Sequence, residues 1–236
     1  MNAYEQKAYQ ELLKWELQIL KNNNVWKQWS KKAQDKINGM IPEKAHQTVT
    51  EAMKQMIKAT LVGSDFTTKQ VYPDLSLEER ETLVEQKLVT YRKTAMLEGA
   101  GTGAGGILLG LADFPLLLSI KMKFLFEVAT IYGHDTSTYE ERLYLLHVFQ
   151  LAFSNDNKKR ETYHLLKNWA EEKHKVMDMD WRTFQQEYRD YIDLVKLFQM
   201  IPGFGAIIGA YANYNLLDQL GETAKNSYRL RIMADK

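Results

Sequence analysis

The sequence predicts an all-α protein, a single-domain multi-helix bundle with two glycine-rich apolar helices packed at its core. Three observations predict it. Apolar side chains recur at steps of three and four along most of the chain, the period of a helix with one buried face. No region sustains the apolar–polar alternation of a strand. Only four prolines occur, Pro42, Pro73, Pro115 and Pro202, and none need interrupt a helix.

The elements follow in order. Residues 2–22 carry Tyr9, Leu12, Leu13, Trp15, Ile19 and Leu20 at helical spacing. Residues 25–37 place Trp26, Trp29, Ala33 and Ile37 on one helical face, with Lys27 and Lys31 beside it. Pro42 suits the first turn of a helix reaching about Thr60, with Val49, Met53, Met56 and Ile57 on one side. Residues 62–74 read as a loop. Ser76 and Glu79 form a capping-box signature, with Val84, Leu88, Tyr91 and Ala95 behind it. Ser137 and Glu140 repeat that signature ahead of Leu143, Leu146, Phe149 and Phe153. One helix is expected near 157–176. Another carries Trp181, Phe184, Tyr188, Tyr191, Val195 and Phe198. Tyr132-Gly133 reads as a helix C-terminus with Gly133 in the left-handed conformation.

Bulk properties narrow the function. The 236 residues are 45% apolar and 26% charged, ordinary globular values that argue against disorder. A net charge of +1 argues against a general nucleic-acid binder. The absence of cysteine excludes disulfides, thiolate metal sites and thiol catalysis. The first residues are polar and charged, unlike a signal peptide, so a cytoplasmic location is expected.

Two glycine-rich segments dominate the apolar content, residues 99–112 and 200–217. Glycine costs about 1 kcal/mol relative to alanine in a helix interior, so something must compensate. Small residues four apart let helix backbones touch, and Gly99/Gly103, Gly106/Gly110 and Gly205/Gly209 have that spacing. A membrane span needs about 20 mostly apolar residues. The first segment has 14 before Asp113, and the second includes Gln199, Pro202, Asn213 and Asn215. Buried packing, partial lipid contact and spanning stay open, with packing favoured by that length rule.

Asp113 invites two readings. As an N-cap it starts a helix over 114–132, with Pro115 in the first turn. As a buried carboxylate it marks a ligand pocket. The helix that follows carries Lys121 on one side and Lys123 with Glu127 nearly opposite, among apolar residues.

Other motifs are weak. Gly101, Gly103 and Gly106 spell GxGxxG, but a helical pattern precedes them where a dinucleotide site needs a strand. Glu-x-x-His occurs at Glu43/His46, Glu161/His164 and Glu171/His174, the spacing of a di-iron helix. The last two pairs are expected on one helix, where ten residues turn them to different faces. No metal and no cofactor is therefore expected. Between residues 21 and 58 there are eight lysines and three acids, and Trp26, Lys27, Trp29 and Lys31 suit an interfacial helix on anionic lipid. Ordinary packing with snorkelling lysines suits them equally.

An ordered set of motifs remains. Gly99, Gly103 and Gly106 precede Leu-Ala-Asp-Phe-Pro at 111–115, then Tyr132, Gly133 and Asp135. A late block holds Pro202, Gly203, Gly205, Gly209 and Asn213. Together these resemble the signature of the EcsC family over roughly residues 40–232. Residues 1–35 carry no part of it. The division expected is 1–38 as N-terminal amphipathic helices and 39–236 as an EcsC-like helical domain. The resemblance implies a bacterial protein whose gene neighbours encode an export-type ABC transporter, and no particular activity. Its shared positions read as packing and capping residues, Asp113 and Asn213 apart. The expectation is a non-enzymatic accessory protein at the cytoplasmic face of the membrane, with anionic lipid and transporter subunits as partners. The alternative is an enzyme or binding protein for a lipid or other apolar small molecule. Its pocket would lie near Asp113 and Asn213, where the glycine-rich helices meet.

Overall fold

A computed structural model describes residues 1–21, 43–62, 72, 74–102, 106–154, 156–178 and 209–233. Side chains 43–46, 96–102, 106–113, 156–157 and 209–215 are outside that description. Among the described residues there is no strand, and the elements are all helices.

Helix α1 (Ala3–Leu20) starts on a capping box in which Glu5 N–H donates to Asn2 Oδ1 at 2.8 Å and Asn2 N–H donates to Glu5 Oε2 at 3.0 Å. Its buried face is Ala8, Leu12, Trp15 and Ile19. Helix α2 (Glu43–Val62) buries Val49, Met53, Met56 and Ile57, the stripe its spacing predicts. Helix α3 (Leu77–Thr102) starts on the predicted box, Ser76 with Glu79, and buries Val84, Leu88 and Ala95. It runs on through Gly99 and Gly101 to Thr102.

Helix α4 (Gly106–Ile131) corrects one expectation. It passes without a break through Asp113 and Pro115, so Asp113 begins no helix and Pro115 sits in a helix interior. An interior proline removes one ladder hydrogen bond and costs ~3 kcal/mol. The buried run that begins at Phe114 outweighs that: Phe114, Leu117, Leu118, Met122, Phe124, Leu125 and Val128 are all buried. The helix ends as predicted. Gly133 has φ +89°, its N–H donates to Thr130 O at 2.9 Å, and His134 N–H donates to Ala129 O at 3.0 Å. These two bonds make a Schellman cap.

Helix α5 (Tyr139–Phe153) is capped by Thr138, one residue later than predicted. The side chain of Asp135 accepts Ser137 N–H at 2.8 Å, which draws Ser137 into the turn and leaves Thr138 Oγ1 to accept Glu141 N–H at 3.2 Å. The helix expected near 157–176 is two, α6 (Asp156–Lys167) and α7 (Trp169–Met177), broken at Asn168. The break lets Trp169 turn inward, edge-on to Tyr144 with ring centroids 5.1 Å apart.

Helix α8 (Gly209–Met233) completes the bundle. It packs against α3, α4 and α5, while α1 lies on α3, α6 and α8, and α2 lies along α4. The helices that continue the two glycine-rich segments, α4 and α8, thus touch within the core. Close approach is visible at Gly221, where a Cβ would stand 3.1 Å from Leu88 Cδ2 and 3.6 Å from Phe124 Cζ. The backbone is helical at Gly99, Gly106, Gly209 and Asn213. Gly103, Pro202 and Gly205 fall outside the described residues, as do Trp26, Lys27, Trp29, Lys31 and the aromatic stripe from Trp181 to Phe198.

Candidate functional site

The described polar chemistry gathers where the α4–α5 turn meets the last turns of α8. Arg229 and Arg231 are two residues apart, so they leave α8 about 200° apart and reach opposite neighbours. Arg229 forks onto Glu81 of α3, with Nε to Oε1 and Nη2 to Oε2 both 2.6 Å. It also donates to Asn226 at 3.2 Å and to Glu11 of α1 at 2.9 Å. Tyr4 and Tyr132 hydroxyls donate to the same Glu81 carboxylate at 2.8 and 3.4 Å. Both partners are buried, with Glu81 2% and Arg229 2% exposed, so this is an ion pair held by planar two-point geometry away from water.

Arg231 faces α5. It donates to Glu141 Oε2 at 2.7 Å, and Tyr228 donates to Oε1 at 2.6 Å. Its guanidinium lies over the Tyr144 ring, 4.4 Å from the centroid. Tyr228 stacks on Tyr132 at 4.9 Å and on His134 at 5.1 Å, so these turn residues form an aromatic floor. Burial pushes the Tyr132 and Tyr228 hydroxyls well above the usual range, and the nearby Glu81 and Glu141 carboxylates add to it. Burial holds His134 below the usual histidine range even though Glu141 stands 3.8 Å away, because Arg231 and Arg80 oppose protonation. His134 is thus neutral at pH 7.

Beside this floor opens a cleft of about 890 Å³ between α1, the α6–α7 joint and the end of α8. Most of its ionisable wall residues are paired. Lys167 reaches Glu16 at 2.8 Å, and Tyr163 donates to that same carboxylate oxygen. Lys173 reaches both oxygens of Glu140 at 3.0 and 2.9 Å. With Arg231 on Glu141, most acids and bases of the cleft engage one another, Glu171 being an exception.

The turn itself rests on one backbone conformation. Arg80 donates from Nη1 to Ile131 O and lies against Gly133, where a Cβ would meet it at 3.3 Å. A side chain in the left-handed region costs about 1–2 kcal/mol. Gly133→Ala is therefore expected to destabilise the fold by at least that much, read as a lower urea midpoint at unchanged slope.

The sequence-predicted sites fare unevenly. Tyr132 and Gly133 belong to the cluster, and Asp135 caps the turn beside it. The side chains of Asp113 and Asn213 lie outside the description, and Pro115 is exposed on α4. Glu161/His164 and Glu171/His174 sit on separate helices, α6 and α7, where one had been expected. Among the described residues no three potential ligands converge on a metal position. The GxGxxG glycines begin within the C-terminal turn of α3, a helix, as expected. Glu81, Glu141, Tyr228, Arg229 and Arg231 were not anticipated. The only local trace was Glu141 three residues after Thr138, which reads as half of a capping box; its carboxylate instead serves α8.

A second buried cation stands apart. Lys121 of α4 is 0% exposed, and among the described residues its Nζ has no hydrogen-bond partner. Burial alone lowers its pKa to about 8.

The EcsC protein family matches residues 6–233 of this chain. The chain belongs to the EcsC family. The match begins well before residue 40, where the motif resemblance starts, and takes in α1. The chain is 51% identical to "Protein EcsC" of Bacillus subtilis (strain 168) over 227 residues, 96% of this chain and 95% of that protein. It is 32% identical over 146 residues to "Uncharacterized protein YdbA" of the same organism, covering 60% of this chain and 54% of that protein. No solved structure matches it.

Proposed function

We propose that this EcsC-family chain is a non-enzymatic accessory protein that works at the cytoplasmic face of a membrane, beside an export-type ABC transporter. The observation that carries the reading is the mutual pairing in the cleft. Acid–base catalysis needs a group poised to give or take a proton at working pH. Here Glu16, Glu140 and Glu141 each hold a cation. Such a cleft suits docking of a partner better than turnover. Among the described residues no helix is long and apolar enough to cross a membrane. The Trp26, Lys27, Trp29 and Lys31 stretch supplies the residue types for that contact. The transporter enters through the family's genetic setting.

Flotation with anionic vesicles tests the membrane part. The chain is expected to rise with them at low salt and to be released at high salt. A lysine near an anionic surface contributes about 1 kcal/mol. Lys27→Glu with Lys31→Glu should weaken binding by at least about thirtyfold. Protein that stays in the load fraction at low salt, and is not retained by tagged transporter subunits in mild detergent, would reject the reading.

A further inference from the structure

Helix α1 sorts its charges by direction. Its acids turn to the bundle or to their own cap. Glu11 accepts from Arg229 at 2.9 Å, Glu16 accepts from Lys167 at 2.8 Å, and Glu5 closes the capping box with Asn2. The lysines do the opposite. Lys7, Lys14 and the C-cap residue Lys21 are all exposed, and among the described residues none has an ion-pair or hydrogen-bond partner.

Their spacing sets the direction. Seven residues make nearly two whole turns, so the three lysines stand in a line within an arc of about 40°. Beside that line, within an arc of about 80°, run Tyr9, Leu13, Leu17 and Leu20. This stripe is uncovered. Leu17 is 67% exposed, Tyr9 and Leu20 are 39% each, and Leu13 is partly buried. Exposed Gln6 and Gln10 lie along the middle of the same face, and by helical position no acid of α1 falls on it. The opposite face, Ala8, Leu12, Trp15 and Ile19, holds α1 to the bundle. The cleft that Glu171 borders opens on the Tyr9 side, away from the lysines.

Each half of this pattern is ordinary alone. Single exposed apolar side chains are common on soluble proteins, and so are solvated lysines. An uncovered apolar stripe beside a row of uncompensated cations is a narrower combination. The stripe needs an apolar phase. The row needs negative charge spread along about 20 Å of helix. A protein partner would have to place acids in register with that row. An anionic lipid surface supplies charge at any register, with its acyl boundary directly beneath. Positive charge also continues along the chain, because Lys21 opens the stretch to residue 58 that holds eight lysines and three acids.

We propose that the outer face of α1 docks this protein on anionic lipid, with Leu13, Leu17 and Leu20 at the acyl boundary and Lys7, Lys14 and Lys21 on the headgroups. This assignment rests on the membrane contact proposed above and says where on the chain it is made.

The test uses the full chain with vesicles of phosphatidylcholine, alone or mixed with phosphatidylglycerol. Flotation at low salt is read for wild type, for Leu17→Gln, and for Lys7→Gln, Lys14→Gln and Lys21→Gln combined. These positions are exposed, so each variant is expected to fold as wild type by circular dichroism. The chain has no cysteine, so Leu17→Cys carries a single environment-sensitive dye. Wild type is expected to float with the anionic vesicles and not with the neutral ones. The triple lysine variant should partition at least about thirtyfold more weakly and Leu17→Gln about tenfold. The dye should shift to the blue on anionic vesicles alone. If wild type floats, the variants float equally well and the dye stays unshifted, α1 is not the contact, while the membrane reading stands on other residues. If wild type does not float, that reading fails and this face falls with it. If the variants float as wild type but are no longer retained by tagged transporter subunits in mild detergent, the face binds a protein and the proposal is wrong.

Discussion

Arg229→Met is expected to lower stability by about 3–5 kcal/mol, the cost of stranding a buried charge. For a chain of this size that corresponds to a fall in Tm of roughly 6–20 °C. The effect is large because Glu81 stays behind. It is 2% exposed and would keep only the hydroxyls of Tyr4 and Tyr132, at 2.8 and 3.4 Å, in place of a two-point guanidinium. Arg229 also ties α1 to α8 through Glu11, so the loss spreads to the packing of the first helix. Differential scanning calorimetry gives the number. A change under 1 kcal/mol would mean that the pair is far more hydrated than its burial indicates.

Lys121→Met is expected to act in the opposite direction, stabilising the protein by about 3 kcal/mol at pH 7. The sign follows from linkage. Burial lowers the folded-state pKa from 10.5 to about 8, so the folded state disfavours the proton that the unfolded state holds. The penalty is complete below pH 8 and fades as pH rises toward 10.5. Wild type should therefore gain on the variant across that window, and the charge part of the difference should vanish above it. Urea unfolding of both proteins at pH 7, 9 and 10.5 separates this from simple packing, which would leave the difference independent of pH.

These two residues also mark how far the sequence could be read. The elements governed by local signals were legible. The Val49, Met53, Met56 and Ile57 stripe, the Ser76–Glu79 box and the Gly133 cap need only their neighbours in sequence, and each appears where expected. Errors arose where two local signals competed. Asp113 and Pro115 together read as a helix start, yet α4 passes through them into a run that is buried from Phe114 onward. Ser137/Glu140 and Thr138/Glu141 overlap as capping pairs, and Asp135 decided between them by taking Ser137 N–H. The Asn168 break depends on where Trp169 finds its ring partner in α5.

The candidate site was barely legible. Glu81 and Arg229 lie 148 residues apart, and Glu141 and Arg231 lie 90 apart, separations that leave no periodic trace. Arginines near the end of a helix read first as partners of its dipole. Lys121 was visible as a cation within an apolar run, but its isolation emerges only when every neighbour is placed.

Beneath all of this lies the pairing of Arg229 with Glu81 and of Arg231 with Glu141, which holds α8 to its neighbours. The direct measurement is a double-mutant cycle on Glu81 and Arg229 in urea, each changed to Met singly and together. Each single variant should lose several kcal/mol while the double variant recovers most of it, because an apolar pair replaces a buried ion pair at little cost. Strictly additive losses would show that the two side chains do not depend on each other and would contradict the account.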